Sequence, residues 1–303
     1  MDQLNPRPVF IIGAPRSGTS ILTWCVAQHS NILIAPETNW IAALASQLNH
    51  IYALGTASGF YTQLSNFGTT QAEFDGAFGQ MIDRIVREGF EKRYGEERVR
   101  LAAGGEPEPI RAWVSSATDP KQRWVDGTPA NTPYAIKLAE IFPDAQFIHL
   151  IRKPDEVLKS LLGFAHVKVH WETNIAALRY AYDCVRGALL LERALGPARV
   201  IRTRYDDLIA GPERALERIL SFLGEPYEGN CLAPLREVIN QSAPEEKQQI
   251  DLGPLQQRGE LSQLRQWHGS AFSDEWMLEV TAEEALTGCR TYAAVPLNAP
   301  APA

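Results

Sequence analysis

The chain has 303 residues, with 29 basic against 36 acidic side chains, a formal net charge of −7, 45% hydrophobic residues and 21% charged ones. That length allows one large domain or two modest ones without disulfide or metal staples, and the composition excludes a disordered chain, a collagen and a coiled coil. The acidic balance disfavours a dedicated nucleic-acid binder, yet is compatible with one local basic pocket for a small anion.

The first predicted element is a buried parallel strand at Val9–Ile12, an apolar run between Pro8 and Gly13. A glycine-rich turn over 13–20 leads into a helical pattern through Ile21, Leu22, Trp24, Cys25 and Val26. A short strand at Ile32–Ala35 is followed by Pro36-Glu37-Thr38-Asn39 and a helix to about Leu48. Gly, Ser, Thr and Asn crowd 55–70. An amphipathic helix then carries Phe74, Phe78, Met81, Ile82, Ile85, Val86 and Phe90, and 102–109 reads as a loop, so 41–122 is expected to be a helical insertion. The rhythm resumes with a strand at Arg123–Asp126, a helix over 130–141, a strand at Ala145–Ile151, a helix at Asp155–Leu162 and a long helix over 173–195. A strand at Arg199–Thr203 and a helix over 212–223, stopped by Gly224, complete it. Such alternation predicts an α/β fold, a mostly parallel sheet with helices on both faces. The C-terminal third is expected to be helical and loop-rich, with a disordered tail over 293–303.

Cys25, Cys184, Cys231 and Cys289 form no C-x-x-C pair and no zinc spacing, which points to a reducing compartment and to cysteines packed as small core residues, with two disulfides in a secreted protein as the alternative. No segment approaches the ~20 apolar residues of a membrane span. The N-terminal residues show no basic stretch followed by a long apolar one, so neither a signal peptide nor an anchor is expected, and the cytoplasm is the default location.

Gly13-Ala14-Pro15-Arg16-Ser17-Gly18-Thr19-Ser20 sits between a buried strand and a helix. Glycines let the backbone curl around an anion there, and the helix offers free N–H groups and its positive end. The nucleotide-hydrolase loop G-x-x-x-x-G-K-[ST] uses its Lys on the β and γ phosphates. Here Thr19 takes that position and Arg16 lies inside the loop. A chain without the Lys is poorly equipped to transfer a γ-phosphoryl group, and suits a less highly charged transfer.

Residues 14–20 resemble the 5′-phosphosulfate loop, P-R-S-G-T-[ST], of sulfotransferases dependent on PAPS (3′-phosphoadenosine 5′-phosphosulfate), above all the subgroup of tyrosylprotein and bacterial carbohydrate or small-molecule enzymes. The resemblance implies that the loop amides with Ser17, Gly18, Thr19 and Ser20 bind the 5′-phosphate and that Arg16 contacts the sulfuryl group. A second segment, Phe147-Ile148-His149-Leu150-Ile151-Arg152-Lys153-Pro154, puts an Arg at the C-terminal end of a buried strand, with Ser160 eight residues beyond it. Ligands of open α/β sheets bind at that edge, where Arg can grip a phosphate bidentately. Taken alone, these read better as an exposed Arg after a strand and a helix-surface Ser. The pattern is similar to the family's 3′-phosphate motif, which implies that Arg152 and Ser160 bind that group. Lys153 replaces the family's common Asp.

Glu37 follows a strand and precedes a helix, where a carboxylate is favourable by ~0.3–1 kcal/mol near the helix N-terminus. Pro36-Glu37-Thr38 also resembles the P-E-T segment whose Glu serves the family as base, and transfer to a hydroxyl requires a proton acceptor. Tyr205-Asp206-Asp207-Leu208 resembles the Y-E-D-L segment. Tyr205 is either a contact to adenine or ribose or an ordinary strand-end aromatic. Arg258, Gly259, Ser262 and Arg265 fall where the family closes over its nucleotide. One departure stands out: relatives often carry a Lys at the position of Gly127, in Trp124-Val125-Asp126-Gly127-Thr128-Pro129. Arg16 is the first replacement cation, with Lys137 and Arg123 behind it. Such a stabilising donor is worth ~2.7–4 kcal/mol in a hydrolase.

His149 reads as a satisfied core residue, and His166 with His170 as a polar rim of the acceptor cleft rather than a metal pair. Trp113, Trp124, Trp171 and Trp267 line a cleft or fill the core.

The resemblance implies one domain over 1–303 with a P-loop-like core at about 7–40 and 123–224. PAPS is the co-substrate, adenosine 3′,5′-bisphosphate the product, no metal is used, and Glu37 and Arg16 are catalytic. The acceptor hydroxyl stays open among a sugar, a phenol, a peptide tyrosine, a carrier-bound group and a lipid-like natural product, with specificity expected in 41–122 and 163–175. No nucleic acid or membrane partner is expected, and the oligomeric state is not readable. The competing readings are a P-loop kinase, which the missing Lys opposes, and a non-catalytic nucleotide-binding protein, which Gly127 favours.

Overall fold

Val9–Ile12 form β1, and all four side chains are fully buried. A strand apolar on both faces must be covered on both. In the computed structural model, which describes residues 7–163, 174–236 and 250–270, β1 is the central strand of a five-stranded sheet of order β2-β3-β1-β4-β5. The others are β2 (Ile32–Ile34), β3 (Arg123–Asp126), β4 (Gln146–Ile151) and β5 (Val200–Arg204). All pairings are parallel, with Val9 opposite Val125 on one side and Gln146 on the other. The C-terminal ends of all five strands therefore open on one edge.

Alternation along β1 divides the core. Val9 and Ile11 pack with Ile148 and Leu150 against α1 (Thr19–Ala27), α8 (Tyr205–Ala210) and α9 (Pro212–Leu223). Phe10 and Ile12 pack on the opposite face with Trp124 and Phe147, under α2 (Asn39–Thr56), α4 (Gln71–Ala102), α5 (Ala135–Ile141) and α7 (Asn174–Leu195). A third cluster joins α6 (Pro154–Gly163), α7 and α10 (Gly259–Ser270) through Leu158, Leu161, Leu178 and Leu264.

The α/β expectation is met, with local differences that have physical causes. The helix expected over 130–141 is a 3-10 turn, Pro129–Tyr134, followed by α5. Pro133 has no N–H to give an α-helical ladder. The helix expected to stop near Leu48 continues to Thr56. Within 55–70 the chain forms a 3-10 turn at Gly59–Tyr61 and the short α3 (Gln63–Asn66). The amphipathic helix starts at a capping box, Thr70 with Glu73, and runs to Ala102.

This long helix is tied to the core by polar bonds as well as by its apolar side. Lys137 Nζ meets Asp75 Oδ2 at 2.5 Å in a buried pair, and Trp124 Nε1 donates to Asp83 Oδ1 at 2.8 Å. Cys25, Cys184 and Cys231 are buried free thiols. His149 is buried and bonded through Nδ1 to Glu192 at 2.6 Å. Among the described residues no helix is long and apolar enough to cross a membrane. Cys289, His166, His170, Trp171 and the tail 293–303 lie outside the described residues.

Candidate active site

The turn after β1 is built on backbone that few residues tolerate. Gly13 has φ +154°, and a Cβ there would stand 2.5 Å from the carbonyl oxygen of Leu150 in the neighbouring strand. Gly18 has φ +100°, and a Cβ there would meet the ring of Tyr205 at 2.5 Å. Between them Arg16 itself adopts φ +68°, a conformation that costs a non-glycine residue about 1–2 kcal/mol. The Ser17 amide donates to Ala14 O at 3.2 Å, closing the turn. No side chain caps α1 and no acidic residue lies in its first turn, so its positive end and first amides face the loop. Ser17 and Thr19 are buried, and Arg16 and Ser20 are half-buried.

The second motif reaches this loop directly. Arg16 Nε donates to Ser160 Oγ at 3.2 Å, and Arg152 Nη1 donates to the carbonyl of Arg16 at 3.0 Å. Ser160 is buried, not on a helix surface, because the side of α6 that carries it turns toward the loop. The guanidinium of Arg152 lies over the Tyr205 ring, 4.4 Å from its centroid. Tyr205 opens α8 directly after β5 and presses on Gly18. Burial first, and then the neighbouring Arg152 charge, lower the pKa of Arg16. Two cations held together in partly buried surroundings are relieved by an anion between them. Arg16, Ser17, Gly18, Thr19, Ser20, Arg152, Ser160 and Tyr205 thus form one cluster at the C-terminal edge of the sheet.

Glu37 stands at the same edge, after β2, with its side chain exposed. It is not bonded to the cluster. Its field reaches Tyr180 on α7, whose phenol is held well above its ordinary pKa by burial, then Cys184, Tyr134 and Glu37. The following residue, Thr38, is buried. Its amide donates to Thr128 Oγ1 at 2.8 Å, and its hydroxyl donates to Asp126 Oδ2.

Gly127 has no room for a longer residue. A Cβ would stand 1.9 Å from Thr23 Oγ1, which is itself fixed by donating to Thr19 O at 2.7 Å. Neither reserve cation takes the missing Lys's place. Lys137 is buried against Asp75 at 2.5 Å and Glu140 at 3.0 Å. Arg123 opens β3 at the far edge of the sheet and donates to Arg7 O, Leu223 O and Gln146 Oε1. Of these three candidates, Arg16 is the one that lies in the loop.

Two groups escaped the sequence reading in whole or in part. Asp126, Thr128 and Asn131 form a buried polar hub, whose signal was Asp126-Gly127-Thr128-Pro129 after a strand: the Asp126 carboxylate accepts from the Thr128 amide at 2.8 Å as an Asx turn. From α10, Trp267, which the sequence offers as a cleft or core residue, and His268, which it leaves unassigned, line a cavity shared with Ala14, Ser17 and Arg152. Arg265 anchors that helix to Asp155 of α6 at 2.5 Å, while Arg258 is occupied with Glu260 at 2.8 Å.

The chain is similar to proteins of one family. The profile described as Sulfotransferase family matches residues 8–229. Nodulation protein NoeE of Sinorhizobium fredii is 26% identical over 255 residues, covering 76% of this chain and 53% of that protein. The protein-tyrosine sulfotransferase of Drosophila melanogaster is 22% identical over 228 residues, covering 74% of this chain and 39% of that one. The chain therefore spans about half, or less, of the length of these relatives. Among solved structures, the sulfotransferase domain of a Synechococcus olefin synthase aligns with a TM-score of 0.47 at 18% identity, covering 98% of both chains. With the family profile spanning residues 8–229, which hold both motifs and all five strands, the chain belongs to the sulfotransferase family.

Proposed function

We propose that this chain moves the sulfuryl group of PAPS to an acceptor hydroxyl. The observation that carries the reading is the meeting of Arg16 with Ser160 and of Arg152 with the Arg16 carbonyl. Two phosphate-type motifs far apart in the chain converge at one strand edge beside an uncapped helix N-terminus. That is the distribution of donors a nucleotide with phosphate groups at both 5′ and 3′ positions calls for. The buried Ser160 and the stacked Arg152 fit the 3′-phosphate, and the loop amides with Ser17, Thr19 and Ser20 fit the 5′-phosphate.

The donor supplies a sulfuryl group already activated as a phosphoric–sulfuric anhydride. The acceptor oxygen forms a bond to sulfur while the sulfur–oxygen bond to the 5′-phosphate breaks, leaving adenosine 3′,5′-bisphosphate. Glu37 takes the acceptor proton. Arg16 balances the charge that grows on the leaving oxygen, the task for which Gly127 supplies nothing. Holding donor and base on one rigid edge converts the encounter into a positioned reaction. In this reading 7–40 and 123–224 form the donor-binding core of a single domain working in the cytoplasm. The acceptor is chosen by 41–122 and by 163–175, of which 164–173 lie outside the described residues; Trp40, just before the first of these segments and 42% exposed, is the first candidate wall.

Calorimetric titration with adenosine 3′,5′-bisphosphate, beside 5′-AMP and Mg-ATP, tests the donor site without an acceptor. Micromolar bisphosphate binding with far weaker 5′-AMP and ATP is expected. Binding of Mg-ATP alone would move the chain to phosphoryl transfer. Glu37→Gln is expected to abolish turnover while bisphosphate binding survives.

A further inference from the structure

We infer that Asp126 is a positioning residue for the transfer, clamping the segment that carries Glu37 to the segment that grips the start of the phosphate loop. The inference rests on Glu37 being the base. The clamp is continuous and buried. Asp126 receives four donors: the Thr128 amide at 2.8 Å, Thr128 Oγ1 at 2.5 Å, Asn131 Nδ2 at 2.7 Å, and the hydroxyl of Thr38. Thr38 is the neighbour of Glu37. On the other side, Thr132, next to Asn131, accepts from the Gly13 amide at 3.0 Å and donates to the Gly13 carbonyl at 3.1 Å. One path of hydrogen bonds and adjacent residues thus runs from Gly13, where the anion loop begins, through Thr132, Asn131, Asp126 and Thr38 to Glu37.

Burial raises the pKa of Asp126, and the hydrogen bonds from Thr128, Thr38 and Asn131 oppose that shift by favouring the carboxylate. All four partners donate, and only a carboxylate is acceptor-only with enough lone pairs for them. Thr128 relays the effect. Its single hydroxyl proton goes to Asp126, which leaves a lone pair for the Thr38 amide at 2.8 Å. Asparagine at 126 keeps one oxygen and puts its NH2 group either on Thr38 and Asn131, which share Oδ2, or on the Thr128 amide and hydroxyl, which share Oδ1. The Glu37 segment would then have one of its two anchors disturbed, the hydroxyl bond on Oδ2 or the amide bond through Thr128 on Oδ1, although neither Glu37 nor the loop had been touched. A misplacement of about 1 Å in a reacting constellation can cost about a hundredfold in rate.

A residue that only supported the fold would lower melting temperature, nucleotide binding and rate together. A positioning residue separates them. Four variants decide: Asp126→Asn, Thr38→Val, Thr38→Ser, and Glu37→Gln as the reference. For each, we would measure bisphosphate binding, melting temperature, amide hydrogen exchange over 36–39 and 13–20, and turnover of PAPS with 4-nitrophenol as the acceptor probe. Asp126→Asn and Thr38→Val are expected to speed exchange over 36–39 by at least about tenfold and to lower kcat by about ten- to hundredfold. The KM for PAPS and the bisphosphate affinity should stay within about twofold, because the loop still holds its own turn. Thr38→Ser keeps the hydroxyl and should behave as the parent. Unchanged exchange and kcat in Thr38→Val, with Glu37→Gln inactive, would overturn the role of Asp126. Full activity of Glu37→Gln would remove the base instead. The exchange measurement needs no acceptor, and decides by itself if 4-nitrophenol is not turned over.

Discussion

Arg16 donates from Nε to the hydroxyl of Ser160 at 3.2 Å, while its own carbonyl accepts from Arg152 at 3.0 Å. A single loop residue therefore touches both members of the second motif, and the loop's unusual backbone at Arg16 is held from outside. Arg152 is expected to matter twice, as an anion ligand and as a support for that backbone.

Arg152→Ala should weaken adenosine 3′,5′-bisphosphate by about ten- to hundredfold, in line with the 1.5–3 kcal/mol of a charge-assisted hydrogen bond. 5′-AMP should weaken far less, by no more than the lost support of the Arg16 backbone costs. Arg152→Lys should recover only part, since an ammonium keeps the charge but neither the fork nor the stacking on Tyr205. Calorimetry on the three proteins checks this. Equal losses for both nucleotides would show that Arg152 does not read the 3′-phosphate.

Gly18 and Tyr205 should be energetically coupled. An alanine at 18 meets both an unfavourable φ of +100° and the Tyr205 ring at 2.5 Å. Gly18→Ala is expected to destabilise by about 1–3 kcal/mol, combining backbone strain with overpacking. In a Tyr205→Ala background only the backbone part should persist. Urea unfolding of the two single variants and the double variant measures the coupling, expected at about 0.5–3 kcal/mol. Strict additivity would mean that the ring yields freely.

How much of this could be read from the residues depends on whether a feature is local. The strands Val9–Ile12 and Arg123–Asp126 and the helix Pro212–Leu223 fall where the sequence reading put them, because each is a short apolar or amphipathic run closed by Gly, Pro or a left-handed cap such as Gly224. One helix over 130–141 is the sequence reading, and the 3-10 turn at Pro129–Tyr134 departs from it where Pro133 has no N–H to give. At the site, each motif was visible in its own segment. The bonds between segments were not: Arg16 with Ser160 spans 144 residues and Thr38 with Asp126 spans 88. Periodicity within a segment carries nothing about which hydroxyl a distant carboxylate will receive. Gly127 was noticed as a missing cation, but the reason for the glycine, the Thr23 hydroxyl, lies on another element.

Restoring a lysine at position 127 should therefore fail sterically before it helps chemically. Gly127→Lys puts a Cβ 1.9 Å from Thr23 Oγ1 and is expected to cost about 1–3 kcal/mol. Adding Thr23→Ala should return most of the lost melting temperature by removing the hydroxyl. Gly127→Lys as stable as the parent would show that α1 shifts away at little cost.

Stability should fall in mild acid partly through His268. Burial, and then Arg204 and Lys153 against the opposing Asp206, lower its pKa below the ordinary 6.5. The unfolded chain then binds a proton at His268 before the folded chain does. Its contribution to stability is thus full above pH 6.5 and is lost as the pH falls from there toward the folded value. His268→Gln should flatten that part of the profile. The comparison is the drop in melting temperature between about pH 7.5 and about pH 5, smaller in the variant than in the parent. An identical drop would place the acid sensitivity elsewhere.

The sheet order has a consequence for how the chain is made. β1 hydrogen-bonds to β3 and β4, yet the whole of α2, α3 and α4 is translated between β1 and β3. At about 5–20 residues per second, the about 110 residues that separate the two strands take about 5–20 s to emerge. For that interval the most apolar strand has neither neighbour, and only α1, β2 and the growing helices are at hand to shelter it. Its shortness limits the danger. Four residues closed by Pro8 and Gly13 make a poor template for pairing with another nascent chain. Production of the protein should thus depend more on holdase chaperones acting during synthesis than on the stability of the finished fold.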